Sequence, residues 1–89
     1  MNKNKYWTYR DGSYELHFIH FYDDDEIILT FVQGAEGTFW YLSDILRGGD
    51  NYINAISIND AKKQLEDKIR EHIEDEITYY EEMLEKFDE

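Results

Sequence analysis

Residues 57–87 read SINDAKKQLEDKIREHIEDEITYYEEMLEKF, and this stretch decides the fold. Ala61, Leu65, Ile69, Ile73, Ile77, Tyr80, Leu84 and Phe87 recur every three or four residues, the spacing of one helix face, with His72, Tyr79 and Met83 at its edge. Ser57-Ile58-Asn59-Asp60 resembles a capping box, with Asp in place of the usual Glu or Gln. The spacing predicts one helix over about 58–87. At about 1.5 Å per residue that helix is roughly 45 Å long, more than a domain of this size is wide. Its last turns are expected to overhang the rest or to pack on another molecule.

Upstream of residue 57 the period changes from three-four to two. Residues 5–10 and 13–22 flank Asp11-Gly12, a strong two-residue hairpin signal. A two-residue turn pairs Arg10 with Ser13, Tyr9 with Tyr14 and Trp7 with Leu16. Trp7, Tyr9, Tyr14, Leu16 and Phe18 then share a core face; Thr8, Arg10, Glu15 and His17 share the other. Asp23-Asp24-Asp25 reads as the next turn and 26–33 as a third strand. An even-length turn there sends Ile27, Leu29 and Phe31 to the core face. Four loop residues, Gly34 to Gly37, pair Phe31 with Trp40 and Leu29 with Leu42 in a fourth strand, 38–42. Ser43-Asp44 is read as the cap of a short helical turn ending at Gly48-Gly49, and 52–56 as a short fifth strand or lead-in.

The fold class read from this pattern is α+β: an antiparallel four- to five-stranded β-meander packed against one long C-terminal helix. The organisation is a single domain over 1–89, with the sheet at about 5–56 and the acidic helix at about 58–87.

The formal charge is −12, from 21 acidic and 9 basic residues. Charge of this size repels nucleic acid and anionic membranes and attracts basic surfaces. It is concentrated. From Glu71 to Glu89 there are nine carboxylates and one cation, Lys86, a net −8. Nine charges over this length is about one per 3 Å of axis. One strand of duplex DNA carries about one per 3.4 Å. Such density repels at i,i+4 and opposes the helix dipole, so this half needs its apolar stripe to stay helical. The partner-binding candidates are therefore Glu71, Glu74, Asp75, Glu81, Glu82 and Glu85, extended by Asp23, Asp24 and Asp25.

A second candidate surface comes from the strand register. Ile19, Phe21, Ile28, Val32, Phe39 and Tyr41 are expected opposite the core face, where one helix cannot cover them. They form a candidate apolar interface.

Chemistry is poorly served by what remains. There is no cysteine, hence no disulfide, thiolate metal site or thiol nucleophile. His17 and His20 point to opposite faces of a strand. His72 and Glu76 could share a metal, but two ligands are too few for a closed site, and a histidine bonded to a carboxylate is the expected pairing. Asp23–Glu26 lacks the ligand spacing and glycine of a calcium loop. Ser43 and Ser57 have turn and cap roles, and no glycine-rich loop is placed to cradle phosphate. No enzyme, cofactor or metal is expected. The N-terminal MNKNKYWTYR has no apolar run after its lysines and does not read as a signal peptide; no stretch reaches the ~18 apolar residues of a membrane span. The expected compartment is the cytoplasm.

In its short length, lack of cysteine, −12 charge and carboxylate run beside a tyrosine-rich sheet, the chain resembles the small acidic inhibitors of phages and mobile elements. These are the anti-CRISPR proteins, the uracil-DNA glycosylase inhibitor and the DNA-mimic anti-restriction proteins. The frequent Ile, Tyr, Asn and Lys suit an AT-rich gene of that kind. The resemblance is one of class and carries no residue roles with it. It implies a non-enzymatic inhibitor in the host cytoplasm that occupies a basic nucleic-acid-binding surface of a host nuclease, such as a CRISPR nuclease, without touching nucleic acid itself. The alternative is a structural or assembly module that homodimerises through the C-terminal helix or the outer sheet face.

Overall fold

Asp11 and Gly12 both take positive φ, 51° and 83°, as a two-residue hairpin turn requires. Around them β1 (Lys5–Arg10) pairs with β2 (Ser13–Ile19) in the expected register, Tyr9 opposite Tyr14 and Trp7 opposite Leu16. The computed structural model describes residues 5–19, 25–46 and 50–88. Three further strands, β3 (Asp25–Gln33), β4 (Thr38–Leu42) and β5 (Tyr52–Asn54), complete an antiparallel sheet in the order β1-β2-β3-β4-β5. The helix α1 follows, from Ile58 to Phe87.

Two local irregularities reassign the faces of β3 and β4. The β2–β3 pairing shifts at Leu16/His17: Leu16 lies opposite Leu29, and His17 opposite Ile27. Ile28 is the extra residue of this bulge and turns into the core, while Ile27 turns out. Between β3 and β4 the loop has odd parity, so that Gln33 pairs with Phe39 and Phe31 with Tyr41. Two bonds tighten it, Gly34 N–H to Thr38 O and Thr38 N–H to Ala35 O, both 2.8 Å. A one-residue slip sends every side chain of a strand to the other face. Phe39 and Tyr41 are therefore core residues, and Trp40 and Leu42 face outward. The expected core places of Ile27, Trp40 and Leu42 are corrected accordingly. Tyr9, though on the core face and against Tyr14, is exposed.

Leu16, Ile28, Leu29, Phe31, Phe39, Tyr41, Ile53 and Ala55 pack against Ala61, Leu65 and Ile69 of α1. Phe31 sits at the centre of the aromatics, stacked on Tyr14 and edge-on to Trp7 and Phe39. Ser57 caps α1, its Oγ accepting from Asp60 N–H at 3.0 Å. The return bond runs from Ile56 N–H to Asp60 Oδ2 at 3.1 Å, one residue earlier than in a standard capping box. Ser43 closes the turn after β4, donating to Ile28 O and accepting from the amides of Ile45 and Leu46. Residues 44–46 form a bend, and the rest of the helical turn expected there lies outside the described residues.

Candidate partner-binding surfaces

The helix is longer than the sheet is wide. The molecule measures 53 × 32 × 21 Å. Ala61 and Leu65 are fully buried and Ile69 nearly so, but beyond Ile73 the apolar stripe runs out of sheet. Ile77, Tyr80, Met83, Leu84 and Phe87 are exposed, Leu84 at 64% and Phe87 at 80%. Tyr79 and Tyr80 touch edge to face at 5.5 Å. The overhang expected from helix length is present.

At about 100° per residue, Glu71, Glu74, Asp75, Glu81, Glu82 and Glu85 occupy an arc of about 120°, centred roughly 150° from the exposed apolar stripe. All six are exposed. Among the described residues none of them has an ion-pair partner. Glu76 falls on the apolar side, and it bonds His72 Nε2 at 2.9 Å, the pairing expected for that histidine. The distal helix thus presents a solvent-facing anionic side and an apolar side back to back.

Asp25 belongs elsewhere. It opens β3, accepts the Tyr6 hydroxyl on Oδ2 and faces His17 Nδ1 through Oδ1 at 3.0 Å. The Tyr6 bond, with help from His17, holds the Asp25 carboxyl below its ordinary value; the same bond raises the Tyr6 phenol. Tyr6 stacks on His17, and His17 Nε2 lies 2.8 Å from Thr8 Oγ1, which also reaches Glu15 Oε1 at 3.2 Å. The order hydroxyl, imidazole, carboxylate resembles a nucleophilic triad. Here it lies flat across three strands and ties β1, β2 and β3 together on the outer face. Asp23, Asp24 and Phe21 lie outside the described residues.

The outer face holds an apolar half as well, with different members from those expected. Ile28, Phe39 and Tyr41 are buried in the core; Val32 and half-buried Ile19 remain on the outside. Trp40, Leu42, Tyr52 and Ile27 join Val32 there. Trp40 lies against Tyr52, ring centroids 5.2 Å apart, and over Gly34, where a Cβ would come within 2.7 Å of the indole nitrogen. Gly34, next to an aromatic-rich strand, was the sequence signal for this contact, which needs the odd loop to form.

An apolar groove of about 200 Å³ opens between Leu16, Phe18, Ile69 and Ile73, rimmed by Lys5, Arg70, Glu66 and Glu74. Lys5 and the Trp7 indole both donate to Glu66, each at 2.6 Å. Burial works to raise the Glu66 carboxyl, but these bonds and the nearby cations outweigh it and hold the group below its ordinary value. The pairing pins the edge strand to the helix. Among the described residues no three His, Asp or Glu side chains converge as metal ligands. No described helix is long and apolar enough to cross a membrane.

Comparison of the chain with protein-family models, with curated proteins and with solved structures finds no match.

Proposed function

We propose that this protein is a non-enzymatic, acidic inhibitor that occupies a basic nucleic-acid-binding surface of another protein, in the manner of DNA mimics and anti-CRISPR proteins. The partner class is a nucleic-acid-handling enzyme such as a CRISPR nuclease. What supports the reading is the one-sided anionic face of α1, whose six carboxylates are exposed and lack ion-pair partners among the described residues. Unpaired like charges at i,i+4 cost the helix a few tenths of a kcal/mol each and contribute nothing to the core. A basic groove that binds phosphates supplies the missing counter-charge, and long-range attraction speeds the encounter. Tyr79, beside the anionic face, is an exposed aromatic of the kind that anchors interfaces.

Affinity capture from a bacterial lysate at low and high salt tests the reading. A DNA- or RNA-handling enzyme should be retained at low salt and released at high salt, because screening shortens the reach of exposed charges. The triple reversal Glu81→Lys, Glu82→Lys, Glu85→Lys should abolish capture and inhibition while the fold persists. Unchanged binding by that variant would sink the assignment of this surface.

A further inference from the structure

The overhanging half of α1 has an apolar side that the anionic reading does not use. Ile77, Tyr80, Met83, Leu84 and Phe87 lie on the same side as the sheet-packing stripe, but past the end of the sheet. Together they expose on the order of 600 Å² of apolar surface, at the top of the range for the largest patch on a monomer. A standard interface buries about 800 Å² per partner, so this stripe and its polar rim are of the right size for one. An isolated helical segment of this length is marginal in water. Its neighbouring carboxylates make it more so.

We infer that the stripe is a self-association surface, occupied by the same stripe of a second copy in an antiparallel, two-fold pair. Charge selects this occupant over a basic helix. The carboxylate arc is centred roughly 150° from the stripe, so pairing two stripes turns the anionic faces outward, with Glu81 alone of the six near the seam. A basic partner would seek the carboxylates, on the other side. Size selects the antiparallel arrangement. It places Ile77 against Phe87 of the second copy and Tyr80 against Leu84, a smaller residue facing a larger one in both of these layers. A parallel pair would set Phe87 on Phe87 and stack the carboxylates level by level. A two-fold pair also needs only one kind of patch, self-complementary.

One consequence separates this association from the binding of a basic partner. Glu81 and Asp88 border the stripe on one flank, and in a two-fold antiparallel pair that flank meets its own copy. Salt screens this repulsion. Self-association therefore tightens as salt rises, whereas capture of a basic partner weakens.

The experiment is sedimentation equilibrium of the whole chain at about 0.1 M and about 1 M NaCl, where charges are screened beyond roughly 10 and 3 Å. A dimer at tens of micromolar, tighter at the higher salt, is the expected result. Leu84→Glu should raise the dimer dissociation constant about 100-fold or more, since the burial of two leucines is lost and two charges enter. Its Trp7 environment, distant from the tip, should be unchanged. A monomer at both salts, or a Leu84→Glu dimer as tight as the parent, overturns the proposal. Because the chain has no cysteine, oxidative cross-linking gives an independent readout that survives partial fraying of the tip. Mixed Tyr80→Cys and Leu84→Cys chains should form the heterodisulfide in preference to either homodisulfide. Preferential Leu84→Cys homodisulfide would overturn the antiparallel arrangement. If the dimer holds and the charge reversal leaves nuclease binding unchanged, only the assignment of the anionic face fails; if the dimer holds and no nucleic-acid-handling enzyme is captured at low salt, only the inhibitor reading fails.

Discussion

The two halves of α1 have the same three-four apolar spacing and opposite surroundings. In the first half Ala61, Leu65 and Ile69 disappear into the sheet, and Glu66 ties the helix to β1 through Lys5 and Trp7. In the second half Ile77, Tyr80, Leu84 and Phe87 occupy equivalent positions and face solvent. The first half is stabilised by tertiary contact. The second carries net −8 from Glu71 onward, and among the described residues no packed core lies beneath its apolar stripe. Equal periodicity therefore does not mean equal burial: a stripe marks a surface able to bury, and another surface must be there to receive it.

Leucine truncation is the strongest way to break this contrast. Leu65→Ala should cost about 3 kcal/mol, within the range of roughly 2–5 for a fully buried leucine. Leu84→Ala, measured in dilute solution by the same denaturant titration, should cost less than about 0.5 kcal/mol. Equal losses would mean that the distal half is packed in the monomer. Next in size is the cap. Ser57→Ala leaves the Asp60 amide without its acceptor and should lower stability by about 1 kcal/mol.

Acid acts on the first half through Glu66. Glu66 has its folded value below its ordinary 4.5, so its contribution is present above that pH and is lost as pH falls through the lower folded value. Denaturant titration at neutral pH and below about pH 4.5 should therefore show the parent losing stability, and Glu66→Gln, which has no carboxylate to protonate, losing less over the same range. Equal losses would remove Glu66 from the contact that holds the first half. The smallest expected effect on stability is that of the Glu81, Glu82 and Glu85 reversal: the 81/85 pair stays like-charged, position 82 becomes like-charged with Lys86, and position 85 gains attraction to Asp88, changes of a few tenths of a kcal/mol that largely cancel and leave Tm nearly unchanged.

Much of the architecture was legible because it is locally determined. Asp11-Gly12 imposes its own turn, and with it the β1–β2 register. Ser57 and Asp60 mark the start of α1 by their own hydrogen bonds. The β3 and β4 faces were not legible in the same way. Phe39 with Tyr41 and Trp40 with Leu42 are both apolar sets, and so are Ile27 and Ile28. When both alternations are apolar, period two does not say which is inside. The decision lay in a bulge and in the parity of one loop, neither of which has a composition signal here. For the same reason the outer patch was anticipated as a patch, but its members changed from Phe39 and Tyr41 to Trp40 and Leu42. The Tyr6–His17–Asp25 network has no local signature, because its members are brought together only by the pairing of three strands.

By itself the sequence determined the α+β composition, the first hairpin, the bounds of α1 and the carboxylate side of its distal half. These depend on contacts between near neighbours and on helical spacing. Only the tertiary structure decided which sheet residues are core and where along α1 burial ends. Both depend on distant segments: the register of one strand against the next, and the width of the sheet measured against the length of the helix.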